Sequence, residues 1–156
     1  MTKLDPLALD EQVCFALYAG ERAVAAAYRG LLDPLDLTYP QYLVMLALWE
    51  QDDVTVSWLG SRLGLDSGTL SPLLKRLEAA GRVIRTRSPR DERVVRITLT
   101  ADGRALRDRA LHIPGTLFTR LGLDPAEADE LRRILGKICL MNTARLERAT
   151  NTKEAR

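Results

Sequence analysis

The stretch VSWLGSRLGLDSGTLSPLLKRLEAAGRVIRTRSPRDERVVRITLT, residues 56–100, decides the fold of this chain. Apolar residues recur at helical spacing from Val56 to Gly64, a turn follows at Leu65–Ser67, and a second helix is predicted to run to Gly81. Next come a strand, a charged tip, and a returning strand from Val94 to Thr100. This order predicts a helix-turn-helix followed by a β-hairpin wing.

Positive charge is concentrated on the same stretch. Residues 75–96 hold eight Lys or Arg against three Asp or Glu, a net of +5, whereas the whole chain carries +2. Residues 1–53 hold three basic and nine acidic residues, a net of −6. This concentration of positive charge predicts that the segment binds a polyanion. A helix-turn-helix with a wing is a fold that binds double-stranded DNA. A solvated surface hairpin is the alternative for the wing charges taken alone.

Length and composition narrow the other possibilities. At 156 residues, the chain is expected to form a single globular domain over 1–156. No apolar run reaches the roughly 18 residues that a membrane helix needs, and the N-terminus lacks a signal-peptide pattern, so a cytoplasmic protein is expected. Two cysteines 125 residues apart do not form a disulfide framework, and one histidine cannot build a His-based metal cluster or a catalytic triad. We therefore expect no metal, no cofactor and no enzyme active site.

Long helices are predicted on both sides of the winged helix-turn-helix, which covers about residues 40–100. They span about 10–32 and 103–149, the second being interrupted at Pro114–Gly115. Helix caps are predicted at Asp10, at Thr38 or Tyr39, at Asp66 or Ser67, at Thr100–Gly103 and at Asp124. A compact DNA-binding domain does not need the outer helices, so we expect their apolar faces to form the interface of a dimer. The alternative is that these faces pack against their own domain. A homodimer would meet two half-sites of a pseudo-palindromic operator.

Candidate DNA-contacting residues lie on the second helix and on the wing. Small hydroxyl side chains at the front of a recognition helix let its backbone approach the bases, and basic residues further along suit phosphates. In the wing, alternation places Arg85 and Arg87 on one face, with Val83 and Ile84 packing elsewhere. The candidates are Ser67, Thr69 and Ser71 for bases, and Lys75, Arg76, Arg85, Arg87, Arg90, Asp91 and Arg93 for phosphates or the placement of the wing.

The motif Asp91-x-Arg93 followed by Leu99-Thr100-x-x-Gly103 resembles the wing signature of the MarR family of bacterial regulators. Segments 13–19, 37–45 and 65–78 resemble its organic-hydroperoxide-sensing branch, OhrR. The resemblance implies a mainly α fold with a small β-hairpin wing, N- and C-terminal dimerisation helices, and a homodimeric repressor. It also implies that Asp91 and Arg93 stabilise and place the wing.

Cys14 is the candidate sensing residue. A cysteine in the first turns of a helix is favoured as thiolate, although a lone helical cysteine is more often a small core residue. The resemblance matches Cys14 to the peroxide-reactive cysteine of the family, and Tyr28 and Tyr39 to two tyrosines held near it, whose hydroxyls would stabilise the thiolate. Apolar walls selecting an organic hydroperoxide are expected from Phe15, Leu17, Met45 and Trp49.

Oxidation of Cys14 would give a sulfenic acid that condenses with a small thiol or with a second cysteine. Cys139 is the internal candidate for that resolving role, and a buried structural thiol is its alternative. Two other functions remain open at this stage. One is a repressor released by a small phenolic ligand without redox chemistry. The other is a thiol peroxidase, disfavoured because Arg22 is the nearest cation and lies two helical turns from Cys14.

Overall fold

The computed structural model describes residues 5–89, 91 and 93–154, and for 140–154 it describes the course of the helix alone. It is mainly helical with a small three-stranded antiparallel sheet, which confirms the predicted fold class. Residues up to Pro114 form one compact unit and those from Gly115 form a second. The elements are α1 (Val13–Leu32), α2 (Tyr39–Glu50), β1 (Val54–Thr55), α3 (Val56–Leu63), α4 (Ser67–Ala79), β2 (Val83–Arg87), β3 (Val95–Leu99), α5 (Ala101–Ala110), α6 (Ile113–Leu121) and α7 (Pro125–Glu154).

Helix α1 begins later than predicted. Asp10 lies in a one-turn 3-10 helix, Leu9–Glu11, and α1 follows Gln12, whose side chain makes no capping hydrogen bond. The Gln12 amide donates instead to the carbonyl of Pro6 at 2.8 Å. The predicted cap at Asp10 is therefore wrong, and Cys14 becomes the second residue of α1.

Helix α2 is the buried central element that its apolar sequence predicts. Thr38 caps it, because its hydroxyl accepts from the Gln41 amide while the Gln41 side chain accepts from the Thr38 amide at 2.8 Å. This reciprocal capping box fixes the start of the helix, with Pro40 in the first turn. The side chains of Val44, Met45 and Leu48 are 0–1% exposed.

The predicted helix-turn-helix is confirmed, and each of its ends has a local cause. Thr55 caps α3 by accepting from the Trp58 amide at 3.1 Å. Helix α3 ends at Gly64, whose φ of +66° is the left-handed conformation that glycine adopts without strain. Asp66 then caps α4 by accepting from the Thr69 amide at 2.8 Å. The core faces of the two helices are buried through Leu59, Leu70, Leu74 and Leu77.

The wing has one strand more than predicted. The sheet order is β1-β3-β2, and β1 pairs with β3 through Val54 opposite Ile97. Strands β2 and β3 form the predicted hairpin. Arg85 and Arg87 share a face, as predicted, but Val83 lies on that same face and is 2% exposed. The expectation that Val83 and Ile84 pack elsewhere is therefore wrong, since Ile84 is 52% exposed on the opposite face.

The wing leads into α5, where the Thr100 hydroxyl accepts from the Gly103 amide at 2.9 Å, as predicted. The predicted interruption at Pro114–Gly115 is misplaced. Helix α5 ends at Ala110 and α6 begins at Ile113, so Pro114 and Gly115 lie within the first turn of α6. Proline fits a first turn because its missing N–H has no helical partner there.

Helix α7 begins where its sequence predicts. The Asp124 carboxylate accepts from the Glu127 amide at 2.9 Å, and the Glu127 carboxylate accepts from the Asp124 amide at 2.9 Å. Pro125 takes the first helical position. Among the described residues, no helix is both long and apolar enough to cross a membrane.

Candidate DNA-binding surface and thiol site

The front end of α4 carries the small hydroxyl side chains predicted to face DNA. Ser67 and Thr69 are exposed, and Ser71 is half-buried. The Thr69 amide and hydroxyl both donate to the carboxylate of Asp66, at 2.8 and 3.2 Å, and these bonds lower the pKa of that carboxyl. The Thr69 hydroxyl thus donates its proton within the chain, and its oxygen can still accept a hydrogen bond from a DNA base. Lys75 and Arg76 are exposed further along the helix.

The wing arginines occupy different environments. Arg85 has a side chain only 23% exposed, its guanidinium lies 3.6 Å from the carboxylate of Glu78, and its Nε is buried without a hydrogen-bond partner among the described residues. Arg87 and Arg93 are exposed. The predicted phosphate contacts remain predictions, with Arg87 and Arg93 more accessible than Arg85.

The tip of the wing is shaped by Asp91. Its carboxylate accepts from the Arg93 amide at 3.0 Å, and its carbonyl accepts from the Val94 amide at 2.9 Å. The Ser88 amide then donates to the Val94 carbonyl at 2.8 Å and closes the hairpin. These bonds suit the predicted placing role of Asp91, and they engage the backbone of Arg93 rather than its guanidinium. Arg90, also predicted to contact DNA, lies outside the described residues.

A groove of about 580 Å³ separates the front of α4 from α3 and the wing. Its polar lining consists of hydroxyl groups and guanidinium groups, a combination that favours anionic oxygen. This lining brings together Ser67, Ser71, Arg85 and Arg93 from the predicted set with Thr55, Ser57 and Ser61.

The two predicted tyrosines stand together. Tyr28 of α1 and Tyr39 of α2 stack with ring centroids 4.6 Å apart, and Tyr42 lies 5.6 Å from Tyr28. Burial, followed by the neighbouring phenols Tyr42 and Tyr39, raises the pKa of Tyr28 to about 12. Burial and then the Glu21 carboxylate raise the pKa of Tyr39. Both hydroxyls therefore stay protonated at neutral pH and remain able to donate.

Cys14 is exposed at the start of α1, away from the Tyr28–Tyr39 pair of its own chain. Fourteen residues of continuous helix separate it from Tyr28, which corresponds to about 21 Å at 1.5 Å per residue. Two of the expected apolar walls are also engaged elsewhere in the chain. Met45 is fully buried, and the Trp49 indole donates to the Gly103 carbonyl at 2.9 Å. A contact between Cys14 and the tyrosine pair therefore requires a second chain.

Cys139 is exposed on α7. The thiol is not buried within its own chain, and its alternative role as a structural thiol stays a prediction. Its predicted resolving role stays a prediction.

Sequence reasoning missed the acidic turn Asp52–Asp53, which binds the wing. Arg96, one of the eight basic residues of segment 75–96, pairs with Asp53 through Nε at 2.8 Å. A sequence signal was available, because two aspartates between an apolar helix and Val54 are typical of a turn whose residues tolerate a left-handed backbone. Their partners on a strand more than 40 positions away carried no such signal.

A helix-turn-helix with a hydroxyl-bearing front end and a hairpin wing defines a winged-helix DNA-binding protein. A family model described as transcriptional regulator SarA/Rot matches residues 27–110. The chain belongs to the MarR/SarA family of winged-helix transcriptional regulators, and it is a DNA-binding transcriptional regulator.

Two relatives and one set of structures resemble the chain over most of its length. The organic hydroperoxide resistance transcriptional regulator of Bacillus subtilis is 48% identical over 132 residues, 85% of this chain and 88% of that protein. The HTH-type transcriptional regulator TtmR of Methylorubrum extorquens is 48% identical over 149 residues, 96% and 75% of the two chains. AbfR is a protein of Staphylococcus epidermidis. The structure of reduced AbfR bound to DNA matches with a TM-score of 0.74 at 33% identity, covering 93% of this chain and 99% of that one. AbfR with a disulfide formed matches with a TM-score of 0.60 at 36% identity, covering 84% and 92%.

Proposed function

We propose that the chain is a homodimeric repressor that leaves its operator when an organic hydroperoxide oxidises Cys14. The observation that carries this proposal is the arrangement along α1. An exposed thiol lies at its start, and two stacked, protonated phenols, Tyr28 of α1 and Tyr39 of α2, lie near its other end. If two copies of α1 pair in opposite directions, each Cys14 approaches Tyr28 and Tyr39 of the other copy. The names of the relatives agree, since one concerns organic hydroperoxide resistance and AbfR forms a disulfide.

Exposed apolar side chains support the dimer. At the start of the chain, Leu9 is 60% exposed, Val13 70% and Leu17 40%. On α7, Leu131, Ile134 and Ile138 are 43–44% exposed at helical spacing. Each set forms an apolar stripe that contact with a second copy would bury. A dimer with two-fold symmetry would also match the two half-sites of a pseudo-palindromic operator.

The chemistry assigns separate tasks to the thiol and the phenols. The Cys14 thiolate attacks one peroxide oxygen, the O–O bond breaks, and the departing alkoxide takes a proton to become an alcohol. The cysteine is left as a sulfenic acid, which condenses with a thiol to give a disulfide and water. Phenol hydroxyls from Tyr28 and Tyr39 of the second copy would donate to the thiolate before reaction and to the departing oxygen during it.

The test compares wild type with Cys14→Ser on a duplex that the wild-type protein selects from a random-sequence pool. Because oxygen in place of sulfur cannot form a sulfenic acid, the variant should bind this duplex normally and stay bound when cumene hydroperoxide is added. Cys139→Ser, which keeps Cys14, should still be released. Release of Cys14→Ser by the hydroperoxide would refute the sensing role.

Cys139 is proposed as the resolving cysteine because it is exposed. Oxidised wild type should then run as a disulfide-linked dimer on a non-reducing gel, and Cys139→Ser should lose that band while its Cys14 becomes open to small thiols or over-oxidation. Mass spectrometry of peptides would identify the bond. A small-thiol adduct on Cys14 of the wild type, with no Cys14–Cys139 peptide, would show that the resolving thiol is external.

A regulator released by a small ligand is the second candidate, and a cavity favours it. A space of about 580 Å³ lies between α2, α3 and α5, with a largely apolar wall that includes Leu43, Leu46 and Leu111. Arg107 also lines it and would pair with an anionic group. If this function holds, a small phenolic carboxylate should release the Cys14→Ser protein from DNA, and an Arg107→Gln variant should respond less.

A further inference from the structure

The acidic turn Asp52–Asp53 holds the outer face of the wing. Asp53 has a left-handed φ of +55°, and its carboxylate accepts from Arg96 Nε at 2.8 Å. Its carbonyl accepts from a terminal nitrogen of the same guanidinium at 2.5 Å. The Thr98 hydroxyl donates to the same carboxylate oxygen at 3.4 Å. One residue of the turn therefore binds two side chains of β3.

The preceding residue of the turn binds the end of the same strand. The Asp52 carboxylate accepts from the Leu99 backbone amide at 2.8 Å, and it also forms an ion pair with Arg104 of α5. The turn thus connects the C-terminal end of α2 to the last part of β3 and to the first turn of α5.

The two faces of β3 are held by different means. Ile97 and Leu99 point inward and are 0% and 3% exposed, so hydrophobic packing fixes that face. Arg96 and Thr98 alternate with them on the outer face, which they share with Ile84 of β2, and there they bond to the turn. The backbone of β3 is paired with β2 on one side and with the two-residue strand β1 on the other. The side-chain bonds on the outer face add to this short ladder and oppose rotation of the hairpin relative to the helices.

We propose that Asp53 is a positioning residue for DNA binding: it holds Arg96, and through Arg96 it sets the orientation of the wing relative to the recognition helix. The Arg96 guanidinium lowers the pKa of the Asp53 carboxyl, so the pair is fully charged at neutral pH. Arg96 acts in this arrangement on the protein and not on a phosphate.

Isolated surface ion pairs contribute little, but this one differs in geometry. Two bonds from one planar guanidinium to one residue fix direction as well as distance, and Lys cannot reproduce them. Asp91, whose carboxylate and carbonyl accept from the Arg93 and Val94 amides and so shape the tip, lies five positions before Arg96. A change in the orientation of β3 is therefore carried into the tip of the wing.

The experiment measures binding of full-length Asp53→Asn, Arg96→Lys and the double variant to two duplexes, one selected by the wild type from a random pool and one of random sequence. Arg96→Lys keeps the charge, and Asn tolerates the left-handed backbone at position 53. Arg133→Lys is the matched control, because Arg133 makes the same kind of two-bond pair with Glu130 on α7, at 2.7 and 2.6 Å.

Each single variant should lose about fivefold in affinity for the selected duplex, the double variant should lose no more than either single one, and the salt slope of Arg96→Lys should be unchanged. The control should bind like the wild type. Circular dichroism and thermal melting verify that the variants fold. Wild-type affinity in Arg96→Lys would overturn the proposal. So would tighter binding of Asp53→Asn to both duplexes, which would show that the carboxylate acts only as a repelling charge.

Discussion

Cys14 and Tyr28 of one chain are separated by about 21 Å of helix, so the proposed sensing site should be assembled from two chains. Mixed dimers test this directly. In the first, one chain carries Cys14→Ser and the other carries Tyr28→Phe with Tyr39→Phe. In the second, one chain carries all three substitutions and the other is wild type. Both dimers contain the same residues in total and differ only in how these are distributed.

The expected difference follows from the hydrogen bonds. The first dimer keeps one complete site, because the remaining Cys14 faces the tyrosines of the Cys14→Ser chain. The second dimer has none, because its remaining Cys14 faces two phenylalanines. A lost hydrogen bond to a charged group costs about 1.5–3 kcal/mol, which is about a ten- to hundredfold fall in the ratio of thiolate to thiol.

The assay uses two affinity tags and sequential purification to isolate each mixed dimer. The ultraviolet absorbance of the thiolate is then titrated against pH, and the rate of sulfenic acid formation with cumene hydroperoxide is measured. The first dimer should match the wild type per reactive thiol, and the second should match the dimer with both tyrosines replaced in both chains. A second dimer that behaves like the wild type, with a first dimer that does not, would refute the two-chain site.

Other predictions test separate parts of the molecule. Arg87→Ala should weaken binding to all duplexes and lower the salt slope by about 0.9, whereas Ser67→Ala should reduce sequence preference and leave that slope intact; equal losses on selected and random DNA would exclude base contact by Ser67. Gly103→Ala should lower the free energy of unfolding by at least about 1–3 kcal/mol, because a Cβ there overlaps the Arg82 carbonyl oxygen; an unchanged denaturant midpoint would contradict this packing. Burial raises the pKa of Tyr28 from 10.0 to about 12, so the unfolded chain loses this proton at lower pH than the folded chain, and the free energy of unfolding should fall as pH rises from 10 to 12. Tyr28→Phe should remove this part of the fall. Identical pH profiles of stability for the wild type and the variant would refute the contribution of Tyr28.

The sequence predicted those elements whose ends are set by neighbouring residues. The capping box of Thr38 and Gln41 and the cap at Asp66 are each completed within three positions, so a local pattern contains the whole signal. The start of α1 was misplaced for the converse reason. Asp10 has the residue type of a cap, but the chain closes a separate 3-10 turn there before α1 begins.

Long-range contacts explain what the sequence could not predict. Strand β1 has two residues and exists because Val54 and Thr55 pair with Ile97 and Arg96. The partner of Arg96 could not be read from the hairpin, because Asp53 lies 43 positions earlier. The separation of Cys14 from Tyr28, by contrast, was within reach of the sequence, because the helix predicted over about 10–32 already contains both residues and the structure confirms its continuity.

Helix α2 joins the proposed sensing site to the wing. It begins at Tyr39, extends for twelve residues or about 18 Å, and ends just before the Asp52–Asp53 turn. Its interior side chains are buried and closely packed against the rest of the winged-helix core. Near its end, the Trp49 indole donates to the Gly103 carbonyl of α5. If oxidation of Cys14 displaces the tyrosine pair, α2 connects that pair directly to the turn that holds β3, and this connection is the route by which the proposed release from DNA would reach the wing.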